Sequence, residues 1–446
     1  MKEIVKPVRV IAELLGKPRE PASAVRMTSH CVRAACEGGE LLYHTLTGEM
    51  ILVEEGELSS HSIDRQLLAR HFLVADGYDE AGDADRIRKT VRLMSRDGMT
   101  YGFTVLTTTD CNARCFYCYE KGIPRFSMSK ETAERTAEYM QSVSGEKTVG
   151  IGWFGGEPLF NKQAISVISQ KLLEAGKEFT SHMTSNGYLF DKETVSEARD
   201  LWRLQRVQIT LDGTEKAYNR IKAYAVPEGG SPFLRVIENI GLLLDEGIAV
   251  AVRLNMNRNN FPDLQKLACL LGELFSGRKG FYAFPMLIRS FSGDAGEFGT
   301  PGEELDAYRQ LKCLLAARGI GREEVLNTRY SPTRCIADNR CCDVVYPDGS
   351  LARCEHYDGK EVCGDVFSGR RDPEAADSWK EETVFEGCSG CPLYPRCVNL
   401  KKCPWSAFGC SESVKTIRIE NLKDRMTRTY VRFCQETEKR KNGDDL

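Results

Sequence analysis

Six times between about residues 100 and 289 a strand-like apolar run is followed by a helical one, and nothing else in the chain limits its fold so narrowly. The strands read near 103–108, 149–154, 179–184, 207–211, 248–255 and 281–287. Ser129 and Asp191 stand at N-cap positions with Glu131 and Glu193 in the first turns, and Gly247 stands just past a helix over 233–246. Alternating β and α dictates a parallel sheet with right-handed crossovers. Six units rather than eight give an open (β/α)6 barrel, and functional residues belong on the loops at the C-terminal ends of its strands.

The chemistry-bearing motifs fall on those loops. After strand one comes Cys111-Asn112-Ala113-Arg114-Cys115-Phe116-Tyr117-Cys118, three cysteines in C-x3-C-x2-C spacing. Iron–sulfur clusters take cysteine thiolates and ordinarily four of them, so this loop leaves one iron open, as catalytic zinc sites keep an open position. Strand two ends in Gly155-Gly156-Glu157-Pro158, a glycine pair that permits close backbone approach followed by a carboxylate. Strand three ends at Ser185-Asn186, strand four at Asp212-Gly213, and strand five at Arg253-Leu254-Asn255, whose two polar side chains share one face. Singly, each of the last three reads equally as a strand-end cap or turn.

Eighteen cysteines in a chain whose first residues do not read as a signal peptide point to metal rather than to disulfides. Ten of them lie between Cys335 and Cys410. A formal charge of −3, with both signs interspersed, argues against a nucleic-acid or acidic-membrane partner. No apolar run is long enough to cross a bilayer, and the expected location is cytoplasmic.

The flanks are smaller modules. Residues 1–98 carry a hairpin, 40–44 and 49–53 with Gly48 in the turn, and helical periodicity over 63–74 and 84–94. Residues 99–320 hold the barrel and a connecting helix over 303–318, and 321–446 hold the late cysteines, a hairpin turn at 346–350 and a helical run at 427–438. Cys335, Cys341, Cys354, Cys388, Cys391, Cys397, Cys403 and Cys410 are eight thiolates, the quota of two four-cysteine sites. A structural zinc ribbon is the plainer reading of any C-x2-C pair.

The pattern C-x3-C-x-aromatic-C, with Gly-Gly-Glu-Pro at the next strand end, resembles the radical SAM superfamily, in which a [4Fe–4S] cluster binds S-adenosylmethionine (SAM). The resemblance implies that Cys111, Cys115 and Cys118 hold that cluster and that Gly155, Gly156 and Glu157 meet the ammonium of SAM. It implies that Ser185 and Asn186 meet the methionyl and ribose part, that Arg253 and Asn255 join the cofactor contacts, and that Asp212 faces the substrate as a catalytic residue. Related enzymes place an arginine for the SAM carboxylate where this chain reads Tyr218-Asn219-Arg220-Ile221-Lys222, so that cation falls to Lys222 or Arg220.

The late cysteines resemble a SPASM domain with two auxiliary [4Fe–4S] clusters. The resemblance implies Cys335, Cys341, Cys354 and Cys403 on one, and Cys388, Cys391, Cys397 and a last cysteine, Cys410 or else Cys434, on the other. Five residues at 398–402 stand where three are usual, and Cys342 and Cys363 are left unplaced. The first 98 residues resemble the winged-helix-like peptide-recognition module of such maturases, and the 40–53 hairpin is the expected place for a leader peptide to add as a strand.

The expected activity is that of a sactipeptide- or ranthipeptide-type maturase of ribosomal peptides. A 5′-deoxyadenosyl radical made from SAM would install thioether cross-links in a precursor with a leader and a cysteine-containing core. A low-potential donor such as ferredoxin or flavodoxin would supply electrons. Carbon–carbon cross-linking, epimerisation and sulfatase-type maturation are the alternatives within that chemistry. A non-catalytic iron–sulfur carrier or zinc adaptor is the alternative outside it, and it gains nothing from an open iron.

Overall fold

The computed structural model describes residues 1–16, 24–55, 57, 61–94, 99–225, 229–289, 296–327, 336–339, 341–356, 362–372, 386–388, 390–397, 403 and 410–442. The chain forms two compact units, one of residues 1–96, 323–339 and 382–446, the other of 97–322 and 340–381. The contiguous third domain expected from residue 321 onward is thus divided between them.

The first unit opens with β1 (Lys2–Val5), α1 (Arg9–Leu15), β2 (Val25–Met27), β3 (Cys31–Cys36), β4 (Gly39–His44) and β5 (Met50–Glu54). It continues through α2 (His61–Ala69), β6 (Leu73–Ala75) and α3 (Glu80–Met94). β4 and β5 are the expected hairpin, and Gly48 takes the φ of 76° that its turn requires. In the sheet order β1-β5-β4-β3 both hairpin strands are interior. An added peptide strand therefore has no open edge on that hairpin and would have to join β1 or β3.

The helix expected over 63–74 stops at Ala69 instead. Arg70 is drawn to Glu3 at 3.1 Å and to Glu49, His71 takes φ 62°, and Leu73 and Val74 pair with Met27 and Arg26 as strand. One face of the sheet, with Val5, Val32, Leu41, Tyr43, Met50 and Leu52, packs on Leu422 and Met426 of the C-terminal helix Glu412–Asn442. That helix absorbs the run expected at 427–438.

The second unit holds β7 (Thr100–Thr108), α4 (Lys130–Ser144), β8 (Thr148–Gly155), α5 (Lys162–Glu174), β9 (Phe179–Ser185), α6 (Lys192–Asp200) and β10 (Leu204–Leu211). It continues with α7 (Glu215–Lys222), α8 (Pro232–Asp245), β11 (Ala249–Met256), α9 (Phe261–Phe275), β12 (Phe281–Leu287) and α10 (Pro301–Ala317). The six strands β7 to β12 are neighbours in chain order and all parallel, the open (β/α)6 sheet. Ser129 and Asp191 cap α4 and α6 as expected, each accepting from the backbone N–H three residues on.

The strands alternate cleanly between two environments. Val105, Trp153, Met183, Ile209 and Leu254 join the aliphatic core against the helices. The opposite row reads Thr104, Gly152, Thr184, Thr210 and Arg253, too polar and too small for a core.

Residues 342–352 extend this sheet. β13 (Cys342–Val345) pairs in parallel with β7, and β14 (Ser350–Ala352) returns antiparallel through a turn where Gly349 has φ 88°. A buried polar knot fixes them, in which the Asp343 carboxylate accepts from Tyr101 Oη at 2.7 Å and Tyr139 Oη at 3.1 Å and pairs with Arg353 at 3.3 Å. Buried acceptors must be satisfied, and two of these partners, Tyr101 and Tyr139, come from the barrel itself.

Candidate functional site

Chain entry into the cysteine loop is set by backbone. Thr108 ends β7, and its carbonyl accepts from Gly156 N at 3.0 Å while Asp110 O accepts from Glu157 N at 2.9 Å. A Cβ on Gly156 would stand 2.3 Å from Asp110 O, and one on Gly155, at φ 114°, 2.2 Å from Thr108 O. Only glycine lets the end of β8 lie this close to the start of the loop. From the far side Arg114 N donates to Lys222 O at 2.7 Å and Ala225 N to Asn112 O at 2.8 Å. The loop is thus clamped between the ends of β8 and α7.

Cys111, Cys115 and Cys118 are half-buried on this loop. Burial pushes the Cys111 thiol up to about 12, with Glu157 adding to the rise, and the Cys118 thiol up to about 11. Burial likewise raises Cys115. Thiols in such surroundings give up their protons only to a cationic group that replaces them.

Glu157 is fully buried and turned to β9. Its carboxylate accepts from Ser185 Oγ at 2.8 Å, Asn186 N at 2.7 Å and Leu159 N at 3.3 Å. Burial lifts its pKa to about 7 against these bonds. Asn186 reaches back to the loop, donating from Nδ2 to Asn112 Oδ1 at 2.7 Å, with Cys111 Sγ at 3.9 Å. Cys111, Glu157, Ser185 and Asn186, which the sequence spreads over 75 residues, are therefore one contiguous group.

Asp212 is also fully buried, and its carboxylate caps no turn. It accepts from Tyr117 Oη at 2.9 and 2.8 Å and forms an ion pair with Lys222 Nζ at 3.0 Å. Burial works against the Lys222 charge, but Asp212, Cys115 and Tyr117 outweigh it and hold that ammonium well above its usual pKa. Of the two basic residues offered for a SAM carboxylate, Arg220 is exposed and Lys222 is committed to Asp212. Asn260 ties the two neighbouring strand ends together, donating to Asp212 O at 2.9 Å and Asn255 O at 2.8 Å.

Two side chains beside the site have contacts that the sequence does not announce. Tyr117 is the aromatic of the cysteine motif, so its place was signalled but its bond to Asp212 was not. His356 follows β14 and lays its ring 4.2 Å from that of Tyr119, a pairing with no sequence signal.

The late cysteines fall in both units. Cys341 is buried and accepts from Lys147 Nζ at 3.5 Å, and Cys354 Sγ accepts from His356 N at 3.4 Å. In the other unit Cys388 and Cys391 share a turn, Arg418 Nη1 donates to Cys397 Sγ at 2.7 Å, Cys403 and Cys434 are half-buried, and Cys410 is exposed. Cys335 and the 398–402 spacer lie outside the described residues. Cys342 packs its sulfur on Gly102, where a Cβ would meet it at 2.9 Å, and Cys363 sits in the core with its thiol directed at Leu351 O, 3.4 Å away. Among the described residues no three Cys, His, Asp or Glu side chains converge to hold a single metal ion, and no helix is long and apolar enough to cross a membrane.

The donor chemistry of the loop suits an iron–sulfur cluster with an amino-acid ligand. Three cysteine sulfurs share it, glycine keeps β8 open beside it, and Asn112 Nδ2 and Asn255 Oδ1 are closed to solvent without a partner among the described residues.

Comparison with known proteins agrees with this chemistry. Residues 105–268, which take in the first five strands of the sheet, match the radical SAM superfamily. Fe-coproporphyrin III synthase of Methanosarcina barkeri is 21% identical over 239 residues, 54% of this chain and 55% of that protein. The chain thus spans about half the length of that relative. A probable GTP 3',8-cyclase of Methanocaldococcus jannaschii is 26% identical over 269 residues, 54% of this chain and 86% of that protein. Among solved structures, native anSMEcpe with bound AdoMet and Cp18Cys peptide has a TM-score of 0.53 at 16% identity, covering 76% of this chain and 99% of its own. SuiB of Streptococcus suis bound to S-adenosylmethionine has a TM-score of 0.51 at 14% identity, covering 87% and 97%. The shared fold therefore runs past the matched domain.

Proposed function

We propose that this chain is a radical SAM peptide maturase that installs thioether links between cysteine sulfur and carbon in a ribosomally made precursor. The observation that carries the reading is the clamped group of Cys111, Cys115 and Cys118 with Glu157, Ser185 and Asn186. A radical SAM domain implies SAM and a [4Fe–4S] cluster, which when bound supply one-electron cleavage of SAM and a radical able to take hydrogen from unactivated carbon. The three loop cysteines would hold the cluster. The protein's own part is orientation and exclusion of water.

In that reading Glu157 receives the ammonium of SAM and the backbone at Gly155 and Gly156 lies alongside it. Asn186, already bonded to Asn112, holds the methionyl part over the loop. Asp212 positions the cysteine loop through Tyr117 and Lys222. The eight late cysteines, Cys335 and Cys410 included, would hold two auxiliary clusters that take the electron left when a product radical closes. A ferredoxin or flavodoxin would be the donor. A peptide substrate is supported by the likeness to a fold solved with a bound peptide, and residues 1–98 would hold its leader.

The test is anaerobic reconstitution followed by reaction with a cysteine-containing candidate precursor peptide. Three clusters predict roughly twelve irons per chain, and each thioether removes two hydrogen atoms from the peptide and one alkylatable thiol. Stoichiometric zinc in place of iron, or 5′-deoxyadenosine formed with the peptide unchanged in mass, would reject the reading.

A further inference from the structure

Among the described residues, Arg253 is a cation of the barrel interior with no hydrogen-bond or ion-pair partner. Arg253 projects from β11 in the polar row, with Thr210 of β10 and Phe284 of β12 as its register neighbours. Its Nε is closed to solvent, and no described residue gives the guanidinium a hydrogen bond or ion pair. Asp212, whose charge it feels, already spends both oxygens on Tyr117 and Lys222. An arginine does not escape by losing its proton. Arg253 is partly open to solvent, so its fork is reachable from the barrel interior, and an unpartnered guanidinium there is suited to meet an anion that arrives.

The surroundings indicate which anion. The groups that sense Arg253 are Tyr117, Asp212 and His356, and the His356 ring lies against Tyr119. None belongs to the set of Glu157, Ser185 and Asn186 that gathers round Cys111. Two residues along the same strand, Asn255 presents its unpartnered Oδ1, an acceptor for an amide N–H. An unpaired guanidinium fork with an amide-binding oxygen beside it matches an acidic residue in a peptide, carboxylate to the arginine and main chain to the asparagine.

We propose that Arg253 is a specificity residue that receives the side-chain carboxylate of an aspartate or glutamate of the substrate, an inference that rests on the peptide-maturase reading above. The rival source of the same chemistry is the carboxylate of SAM, and binding measurements separate the two.

The probes are glutarate, its neutral counterpart glutaramide, and SAM, each applied to reconstituted wild-type protein and to Arg253→Met and Arg253→Lys. Glutarate should raise the melting temperature of the wild type where glutaramide does not. In equilibrium dialysis Arg253→Met should bind glutarate roughly ten- to a hundredfold more weakly, the factor carried by a hydrogen bond to a charged group, while its affinity for SAM holds. Arg253→Lys, a point charge without the fork, should fall between them. Arg253→Met should also melt no lower than wild type, since it removes an unpaired charge.

Loss of SAM binding together with glutarate binding would hand Arg253 to the cofactor and overturn the proposal. So would an equal glutarate response in all three proteins, no response in the wild type, or a fall in melting temperature in both variants, which would make Arg253 structural. None of these readouts needs turnover. Failure of the maturase reading would appear separately, in iron content and peptide mass.

Discussion

The cysteine loop after β7 and the cysteine-rich stretch from residue 341 onward bear the same chemical group but are held in opposite ways. The loop is short and fixed by backbone bonds from the end of β8, through Gly156 and Glu157, and from the end of α7, through Lys222 and Ala225. The late stretch is parted between two units. Cys341 and Cys354 flank the two strands added to the barrel sheet, whereas Cys388 and Cys391 pack against Ile11, Leu46, Ala84, Ile87, Val91 and Tyr394 in the other unit. A site built within one loop is robust to how the rest of the chain is arranged. The late stretch has no such frame, and on the barrel side its segment is held by the buried polar knot at Asp343.

The largest expected effect separates the two regions outright. Replacing Cys111, Cys115 and Cys118 together by Ala should abolish 5′-deoxyadenosine formation, followed by chromatography, and remove about four of the roughly twelve irons expected from four per cluster. Loss of all iron would show that the late stretch cannot load alone. Continued SAM cleavage would place the site elsewhere.

A matched pair of buried carboxylates comes next. Asp212→Asn removes the charge partner of Lys222, and Asp343→Asn that of Arg353, whose Nη1 also donates to Cys342 O; breaking a buried ion pair costs about 3–5 kcal/mol. Both variants should melt lower, by on the order of 10 °C for a unit of this size. Their local effects should differ. Asp212→Asn frees Tyr117 and should lower 5′-deoxyadenosine yield, while Asp343→Asn should open the amides of β13 to hydrogen exchange. If Asp343→Asn left β13 as protected as in the wild type, the knot would not be what docks this half of the late stretch.

The difference between the regions also explains what could be read from the chain. Strand alternation, the caps at Ser129 and Asp191, the turn glycine at 48 and the glycine pair at 155–156 are local signals, each set by a few adjacent residues. The bond from Tyr101 to Asp343 joins positions 242 apart, and no periodicity announces it. Asp212 was legible as a strand-end acid, but not its capture of Tyr117 and Lys222, because a sequence does not say which of several nearby cations a buried acid will take. The helix that stops at Ala69 shows the same limit, since Arg70 is diverted by Glu3 and Glu49 from elsewhere in the unit. Division of the late cysteines between two units was invisible because spacing along the chain carries no record of the surface each segment packs on.

A smaller effect sharpens the account of the loop. Gly156→Ala forces a Cβ to within 2.3 Å of Asp110 O, so the backbone must shift by a visible amount. Backbone strain of this kind costs roughly 1–3 kcal/mol. Calorimetry should find SAM binding weakened by about ten- to a hundredfold, with iron content kept. Unaltered affinity would mean that the close approach of β8 serves only to fix the loop.

The least effect concerns the other half of the late stretch and is read by pH. His44 is buried at the end of β4, its Nδ1 accepting from Thr47 N at 3.3 Å and its ring 5.5 Å from that of Phe72. Burial pulls its pKa down to about 3, and the positive charges of His30, His71 and Arg396 add to the lowering. Arg396 lies between Cys391 and Cys397 and sits over the ring of Tyr43, so a proton on His44 would repel the segment that carries those cysteines. The unfolded chain takes up that proton near pH 6.5, the folded chain only near 3. Above 6.5 the two forms hold equal protons at this group and stability is flat. Below it the unfolded form alone is protonated, and stability should fall by about 1.4 kcal/mol per pH unit, some 2 kcal/mol between pH 7 and 5. His44→Gln should therefore flatten the loss, read as the drop in melting temperature of the unit that holds residues 1–96 between those pH values. An equal drop in wild type and variant would assign the acid sensitivity to other groups and release this half of the late stretch from dependence on His44.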